Sequence, residues 1–170
     1  VTRLDRDTSG LILIAKHRYS HSILFNEQKE GKIDRHYQAI ISGQLKEKRG
    51  TLDYPIDRDP SSILKRMVTP TGKRAITKFE VISENHHASL VKVSLETGRT
   101  HQIRVHFSHI GHPLIGDALY GGDMEHLTRQ ALHCSRLTFF HPLTKEEMHF
   151  YSPLANDLER YWKQAGEKYS

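Results

Sequence analysis

Two aspartates lie close together near the start of the chain, in the segment RLDRDTSGLILIAK at residues 3–16. Carboxylates can serve catalysis as nucleophiles or as bases. Asp5 and Asp7 are two residues apart, and in an extended segment such side chains point in opposite directions. We therefore expect at most one of them to face a substrate. Hydrolysis by paired carboxylates of the glycosidase kind is disfavoured unless a second acid comes from elsewhere.

Both aspartates also have a structural interpretation. The residues TSG at 8–10 predict a turn, and Asp7 is predicted to support that turn through hydrogen bonds to the nearby backbone. The aliphatic run at 11–15 predicts a strand buried on both faces. Asp5 would then lie on a loop that feeds a core strand, with one side open to a cleft. From the residues alone, Asp5 is either a reactive carboxylate or an ordinary loop residue.

A cluster of histidines raises the question of a metal site. The segment GRTHQIRVHFSHIGHPLIGD at 98–117 contains His101, His106, His109 and His112. Its apolar residues recur at helical spacing, which predicts a helix with a core stripe of Ile103, Phe107 and Ile110. On that helix His101 and His109 stand about 12 Å apart along the axis, and only His106 and His109 could share an ion. Two ligands do not complete a zinc site, so we predict no metal.

Arg104 is the other chemically informative residue of this segment. It shares one helix face with His101 and Ser108, away from the apolar stripe, so we predict one polar face and one face that seeks the core. A guanidinium there could clamp a carboxylate or a phosphate. The alternative is an arginine exposed on the helix surface.

Composition limits the classes of function. The chain has 170 residues, which predicts a single domain over 1–170, and no apolar stretch approaches the roughly 20 residues of a membrane helix. Lys and Arg number 25 against 20 Asp and Glu, and the net charge of +5 makes a nucleic acid a natural partner. The single cysteine, Cys134, and the lack of a secretory signal pattern predict a cytoplasmic location. The sequence contains no GxSxG elbow, P-loop or GxGxxG fingerprint, so neither a serine nucleophile nor a bound nucleotide cofactor is indicated.

These residues need helices and strands to position them. One helix is predicted from a cap at Ser20 to a stop at Gly31, and another from a cap at Thr100 to a stop at Gly111. Residues 46–72 are rich in Asp, Pro, Ser, Lys and Arg, and we expect loops or a small excursion that faces a ligand.

Alternating apolar and polar residues predict the strands. One is expected at 36–42, and two more at 74–83 and 88–98 form an antiparallel hairpin. Closing strands at 137–140 and 148–151 and a helix at 154–169 follow. Strands and helices thus mix without a βαβ rhythm.

Four segments in order resemble the motifs of the RluA-type RNA pseudouridine synthases: RLDRDTSGLILIAK, HYQAIISG, KRAITKFEV and LETGRTHQIRVHFSHIGHPLIGDALYGG. The resemblance spans about residues 3–122, and one departure is Thr2, where the family usually has histidine. It implies an α+β (mixed α/β) catalytic fold, a largely antiparallel sheet with flanking helices and a central cleft. Family members usually carry a strand-bearing segment before RLD, often after an S4-like RNA-binding module. Because this chain opens with Val1, we expect an N-terminal portion to be missing.

The resemblance also implies roles for individual residues. Asp5 corresponds to the catalytic aspartate, Tyr37 to the active-site tyrosine and Arg104 to the arginine that pairs with the aspartate. Tyr37 is expected to stack on the uracil and to assist removal of its C5 proton. Arg3, Arg99 and His101 are candidate RNA contacts, against the alternative of ordinary surface charge.

The implied reaction isomerises uridine to pseudouridine within an RNA chain. The N1–C1′ bond breaks, the uracil turns, and C5 bonds to C1′, with no cofactor and no metal. Asp5 could act as a nucleophile at C1′ or as a base at C2′, and the sequence does not choose between these routes. The expected partner is structured RNA, ribosomal in preference to transfer RNA, and the expected oligomeric state is a monomer.

Two other functions compete with this prediction. A non-catalytic RNA-binding module with the same fold would share the basic charge, although the presence of Asp5, Tyr37 and Arg104 together argues against it. A metal-dependent hydrolase built on the histidine cluster ranks behind it.

Overall fold

The structure, a computed structural model, describes residues 1–169, with side chains as far as Glu167. Three α-helices are described: α1 (Arg18–Lys29), α2 (Gln102–His109) and α3 (Asn156–Tyr169). Nine strands accompany them: β1 (Ser9–Gly10), β2 (Asp34–Ser42), β3 (Arg49–Asp53), β4 (Ile56–Arg58), β5 (Arg66–Val68), β6 (Ile76–Glu84), β7 (Ala88–Leu95), β8 (Leu132–Phe140) and β9 (Glu147–Tyr151). A short 3₁₀ turn spans Ala118–Tyr120. No helix in this described part combines the length and apolar character that crossing a membrane requires.

Seven of the strands form one sheet in the order β1-β8-β2-β7-β6-β3, with β9 also paired to β8. Strand β1 runs parallel to β8, and every other pair in this sheet is antiparallel. Strands β4 and β5 form a separate antiparallel pair. The predicted α+β class with a largely antiparallel sheet is confirmed, as is the β6–β7 hairpin.

The alternation in β2 explains why both faces of the sheet are covered. Ala39 and Ile41 point into the main core, which Phe107 of α2 completes. Ile40, between them, points to the opposite face, where Leu158 of α3 packs against it. Successive residues of a strand face opposite sides, so a continuous apolar run can serve two cores at once. The sheet therefore lies between α2 and α3.

The predicted buried strand at 11–15 is wrong. The parallel ladder of β1 ends at Gly10, and only one further bond follows, from the Leu11 N–H to the Cys134 carbonyl. From Arg136 onward β9 occupies this edge of β8, so no edge remains for residues 11–15. Ile14 is 71% exposed and only Leu13 of this run is buried.

Both predicted helix caps are wrong by one to three residues. Helix α1 begins at Arg18 with His17 at the cap position, not Ser20, and no side chain caps it. Helix α2 has His101 at its cap position, not Thr100. His101 has a left-handed backbone, with φ of 57°, which turns the chain sharply into the helix.

Residues 46–72 contain more regular structure than predicted. Strand β3 pairs with β6 at the edge of the main sheet, where Leu52 is buried. Strands β4 and β5 form a hairpin, which is the expected small excursion. Ile56 anchors this hairpin in a small core with Val105 of α2 and Tyr120.

Candidate active site

One cleft of about 350 Å³ gathers most of the predicted site residues. It lies between the loop at 3–8, the start of β2 and the loop that enters α2. Five of the six predicted residues line it: Arg3, Asp5, Tyr37, Arg99 and His101. Arg104 lies behind the cleft wall, where it contacts Asp5. Residues distant in sequence thus meet around one concave surface.

The loop that carries Asp5 is held from below by residues just before β8. The Thr8 N–H donates to the Asp5 carbonyl at 3.0 Å and closes a turn in which Asp7 has a left-handed backbone, with φ of 70°. Gln130 donates its side-chain N–H to the Arg6 carbonyl at 2.6 Å and to Thr8 Oγ1 at 3.1 Å. These bonds fix the loop on one side, and its other side lines the open cleft.

Arg129 ties the same loop to the C-terminal helix. Its guanidinium donates to the Asp7 carbonyl at 2.9 Å and to Ser9 Oγ at 3.0 Å. Two further bonds, of 2.8 and 3.0 Å, reach the carboxylate of Asp157 on α3. Gly10 completes the anchorage, because a side chain there would collide with the Cys134 backbone on β8. Asp7 itself is exposed and contributes its backbone to the loop.

The charged centre of the cleft is Asp5 with Arg104. Arg104 Nη1 lies 3.6 Å from Asp5 Oδ2, and the two side chains are 8% and 23% exposed. Asp5 is the more accessible partner, so its carboxylate can meet a substrate while the guanidinium stays behind it. An arginine in this position orients a carboxylate without blocking it.

Arg104 is buried, so the alternative of an arginine exposed on the helix surface is wrong. Residues 102–107 of α2 are all buried, because the face opposite the apolar stripe packs against the segment at 114–122. There Arg104 donates two bonds to Asp117, Nε to Oδ2 at 2.8 Å and Nη2 to Oδ1 at 3.0 Å. Burial opposes the charged form, but the hydrogen bonds and charge of Asp117 raise the pKa of Arg104.

Asp117 is the site residue that sequence reasoning missed. It is 1% exposed, and its bidentate pair fixes the guanidinium so that Nη1 remains directed at Asp5. Gly116 precedes it with φ of 78°, and a side chain there would collide with the Arg129 backbone. The signal was the lone acid in GDALYGG, which the resemblance includes without drawing attention to it.

Tyr37 forms part of the inner wall of the cleft. It is 4% exposed, and the pairing of β2 with β8 shifts register between His36 and Tyr37. Such bulges re-aim side chains and are common beside active sites. Burial raises the pKa of Tyr37 to about 12, a rise that the nearby guanidinium of Arg35 partly opposes. The phenol is therefore protonated at neutral pH.

The loop that enters α2 is organised by Gln102 and Tyr120. The buried amide of Gln102 accepts bonds from Thr97 Oγ1 and the Arg99 N–H, and donates to the Ile76 carbonyl on β6. His101 is held in its left-handed conformation by a 2.7 Å bond between Nδ1 and the hydroxyl of Tyr120. Burial is the main cause that lowers the pKa of His101, although the charge of Asp5 opposes it.

Arg3 and Arg99 stand at the mouth of the cleft. Both are exposed, and Arg99 Nε donates to the Arg74 carbonyl at 2.8 Å. Thr2, the departure from the family pattern, is buried instead, and its hydroxyl accepts the Leu13 N–H at 2.9 Å. Position 2 therefore serves the framework of the site.

The histidine cluster does not assemble into a metal site. His106 lies in the core, where Nε2 donates to the Tyr54 carbonyl and Nδ1 accepts from Thr77 Oγ1, both at 2.8 Å. His112 Nδ1 donates to the Ser42 carbonyl, away from His106. Within residues 1–169 no group of three or more His, Cys, Asp or Glu residues could hold a metal ion.

Comparison with known proteins identifies the family of this chain. Residues 1–109 match the family model described as RNA pseudouridylate synthase. A Bacillus subtilis protein named as an uncharacterized RNA pseudouridine synthase, YjbO, is 53% identical over 163 residues, which cover 96% of this chain and 58% of that protein. The ribosomal large subunit pseudouridine synthase D of Haemophilus influenzae is 39% identical, over 93% of this chain and 53% of that protein. The chain thus spans a little more than half the length of these curated relatives.

Solved structures share the fold. Human RNA Pseudouridylate Synthase Domain Containing 1 superposes with a TM-score of 0.80 at 28% identity, over 89% of this chain and 67% of that one. Human RNA Pseudouridylate Synthase Domain Containing 4 gives 0.79 at 20% identity, over 96% of this chain and 74% of that one. The second likeness bears on the fold alone.

Proposed function

This chain belongs to the RNA pseudouridine synthase family, and on that premise we propose that the protein isomerises uridine to pseudouridine within an RNA chain. The observation that carries the proposal is the accessible carboxylate of Asp5 at the centre of a basic cleft, backed by Arg104 at 3.6 Å. Nothing comparable supports a serine hydrolase or a metal-dependent hydrolase. The sequence contains no GxSxG motif, and the described residues include no group of side chains that could hold a metal ion.

Asp5 is the group that acts on the ribose. As a nucleophile it would bond to C1′ while the C1′–N1 bond breaks and uracil leaves with the bonding electrons on N1. As a base it would remove the C2′ proton, and the C1′–N1 bond would break as a C1′–C2′ double bond forms. Both routes need a carboxylate that is aimed at one side of the sugar and does not rotate freely. Arg104 supplies that restraint, and two hydrogen bonds to Asp117 hold the Arg104 guanidinium in one orientation.

Tyr37 acts on the base. Its ring at the cleft wall offers a stacking surface for uracil, and its hydroxyl is protonated at neutral pH because its pKa is raised to about 12. A protonated phenol can assist removal of the C5 proton by passing its own proton to water as it accepts another. This role does not require Tyr37 to be deprotonated before the reaction.

Arg3, Arg99 and His101 contact the RNA around the target nucleotide. Arg3 is exposed and lies on the same loop as Asp5, two residues before it. Its side chain can therefore fill the space that an extracted uridine leaves in its stack. Arg99 and His101 lie on the opposite side of the cleft. The net charge of +5 favours binding to any polyanion.

Ribosomal RNA is the proposed substrate class, because several relatives of this chain are named as ribosomal large subunit pseudouridine synthases. A cytoplasmic location, a monomeric state, and catalysis without a metal or cofactor remain predictions that accompany this proposal.

The decisive test is release of tritium by the full-length protein from [5-³H]uridine-labelled cellular RNA taken from cells that lack the gene. Formation of the C5–C1′ bond expels the C5 hydrogen. We expect release by the wild type and by Asp7→Asn, the matched control on the same loop, and none by Asp5→Asn. Absence of release by the wild type, with RNA binding intact, would favour the binding-module alternative.

A further inference from the structure

A second groove, with a volume of about 320 Å³, adjoins the active-site cleft. The groove and the cleft share the loop residues Gly98, Arg99 and Thr100. The opposite side of the groove consists of the β4–β5 hairpin and Lys73, which is bridged to Ile56 by two backbone hydrogen bonds of 2.9 Å. A polymer bound in the cleft can therefore continue into the groove.

The groove is lined by positively charged side chains that have no acidic partners among the described side chains. Four of its lining side chains are cations: Arg58, Arg66, Lys73 and Arg99. None of them forms an ion pair with any residue whose side chain the structure describes. The one acid in the lining, Asp57, accepts the Arg58 backbone N–H at 2.7 Å instead. Cations gathered on a concave surface without counter-charges are typical of an anion site.

The pairing of the hairpin makes this arrangement costly without a ligand. Arg58 and Arg66 are direct cross-strand partners, and like charges in that relation destabilise a strand pair. They share one face of the hairpin with Ile56 and Val68, which pack into the small core against α2. Both arginines therefore belong to the inner face of the hairpin, where an anion can lie between them.

The side chain of Arg66 gives a second indication of an anion site. Its Nε is shielded from water, yet it has no hydrogen-bond partner among the atoms that the structure describes. Buried polar atoms are nearly always hydrogen-bonded, so this one requires an explanation. A guanidinium presents its N–H groups as a fork that matches two oxygens of a phosphate.

We propose that this groove binds a backbone phosphate of the RNA strand beside the target uridine, an inference that rests on the proposed function. Arg58 and Arg66 hold the phosphate oxygens, and Lys73 adds a third positive charge. Arg99, at the boundary with the cleft, contacts the next part of the strand.

Tyr120 connects this groove to the catalytic centre. Its hydroxyl accepts the Arg66 backbone N–H at 2.9 Å and bonds to His101 Nδ1 at 2.7 Å. The Arg104 guanidinium lies 5.1 Å from the centre of its ring. A phosphate that orders Arg66 therefore also stabilises the wall of the cleft beside Asp5.

The test compares two double variants of the full-length protein that lose equal charge. Arg66→Gln with Lys73→Gln alters the groove, and Arg49→Gln with Lys92→Gln alters the sheet face away from the cleft. Binding of a fluorescein-labelled single-stranded RNA of about 12 nucleotides, with one central uridine, is followed by anisotropy across a range of salt concentrations. Matching urea midpoints show that both variants fold.

We expect the groove variant to bind at least tenfold more weakly than the control, with a salt slope smaller by about 0.7, the value for one phosphate contact to a single strand. Equal affinities and slopes for the two variants would overturn the proposal, because only net charge would then matter.

A neutral linkage in the RNA identifies the ligand as its backbone. A series of the same oligonucleotides, each with one methylphosphonate near the uridine, should contain one position that weakens the wild type and leaves the groove variant unchanged. Equal weakening of both proteins at every position would also overturn the proposal. Binding does not require turnover, so failure of tritium release would refute the proposed reaction and leave the groove result standing.

Discussion

Asp117→Asn offers a quantitative test of how the active site is held together. The substitution keeps the shape of the side chain but removes its charge, and it presents an NH₂ group to a guanidinium that already donates. Arg104 and Asp117 are 8% and 1% exposed, so the pair is shielded from water on both sides. Breaking a buried pair by removing one charge costs about 3–5 kcal/mol.

The expected loss lies near the lower end of that range, because Asp5 remains 3.6 Å from the guanidinium and keeps part of the attraction. We expect the free energy of unfolding to fall by about 3 kcal/mol, which lowers Tm by about 6–12 °C in a chain of this size. Arg104 is then free to turn towards Asp5, and displacement of the carboxylate should reduce kcat/KM by about 100-fold.

Urea unfolding and tritium release measure these two effects. Glu80→Gln is the matched control, since its carboxylate pairs with Arg49 at 3.3 Å but is 52% exposed, and its stability should change by less than about 0.5 kcal/mol. Asp5→Asn leaves the bidentate pair intact and should change stability by less than about 1 kcal/mol. If Asp117→Asn unfolded at the same urea concentration as Glu80→Gln, the reasoning about Arg104 would be refuted.

Two further predictions concern pH. We propose that Tyr37 acts as a protonated phenol, and its pKa of about 12 keeps it in that form up to about pH 10. Ionisation of Tyr37 should therefore cause no rise in turnover between pH 7 and about 10. A tenfold increase per pH unit in a pH–rate profile would instead indicate a phenolate base. The hydrogen bond from Arg129 lowers the pKa of Asp157 in the folded protein. The pair therefore stabilises the fold at pH values above the unfolded-state pKa. That stabilisation is lost as the pH falls through the lower pKa of the folded state. Asp157→Asn should therefore lower the free energy of unfolding by about 1 kcal/mol at pH 7, a figure already reduced for the exposure of the pair, and by progressively less in acid. Equal losses in urea unfolding at pH 7 and at the most acidic pH at which the protein folds would contradict this assignment.

Strands were the most predictable part of the fold. Alternation in the hairpin β6–β7 reflects burial on one side of a sheet, which is a local property of each strand. The run at 11–15 has the same aliphatic composition as a core strand, yet it lies outside the sheet because β9 occupies the edge of β8. Competition for an edge depends on residues far along the chain, and periodicity cannot detect it.

The family motifs predicted the residues of the site, whereas the chemistry of individual residues predicted much less. The residues alone left the role of Asp5 open and predicted one polar face on α2. The family resemblance predicted roles for Asp5, Tyr37 and Arg104 together. Arg104 is buried because Asp117 neutralises it, and Asp117 attracted no attention in the sequence. A helix face that looks polar can be interior when its charge has a partner on another segment.

Motif order and local periodicity are properties of the chain, so the amino-acid sequence was enough to predict the family, the strand-rich framework and the carboxylate that we propose as reactive. Three relations become visible only in the folded chain: Arg104 is held between Asp117 and Asp5, Gln130 and Arg129 fix the loop at 3–8, and the basic hairpin β4–β5 lines the groove beside the cleft. These relations depend on burial and on distances between segments remote in sequence. Burial sets the strength of a charge pair and the cost of leaving it incomplete, and burial exists only in the folded chain.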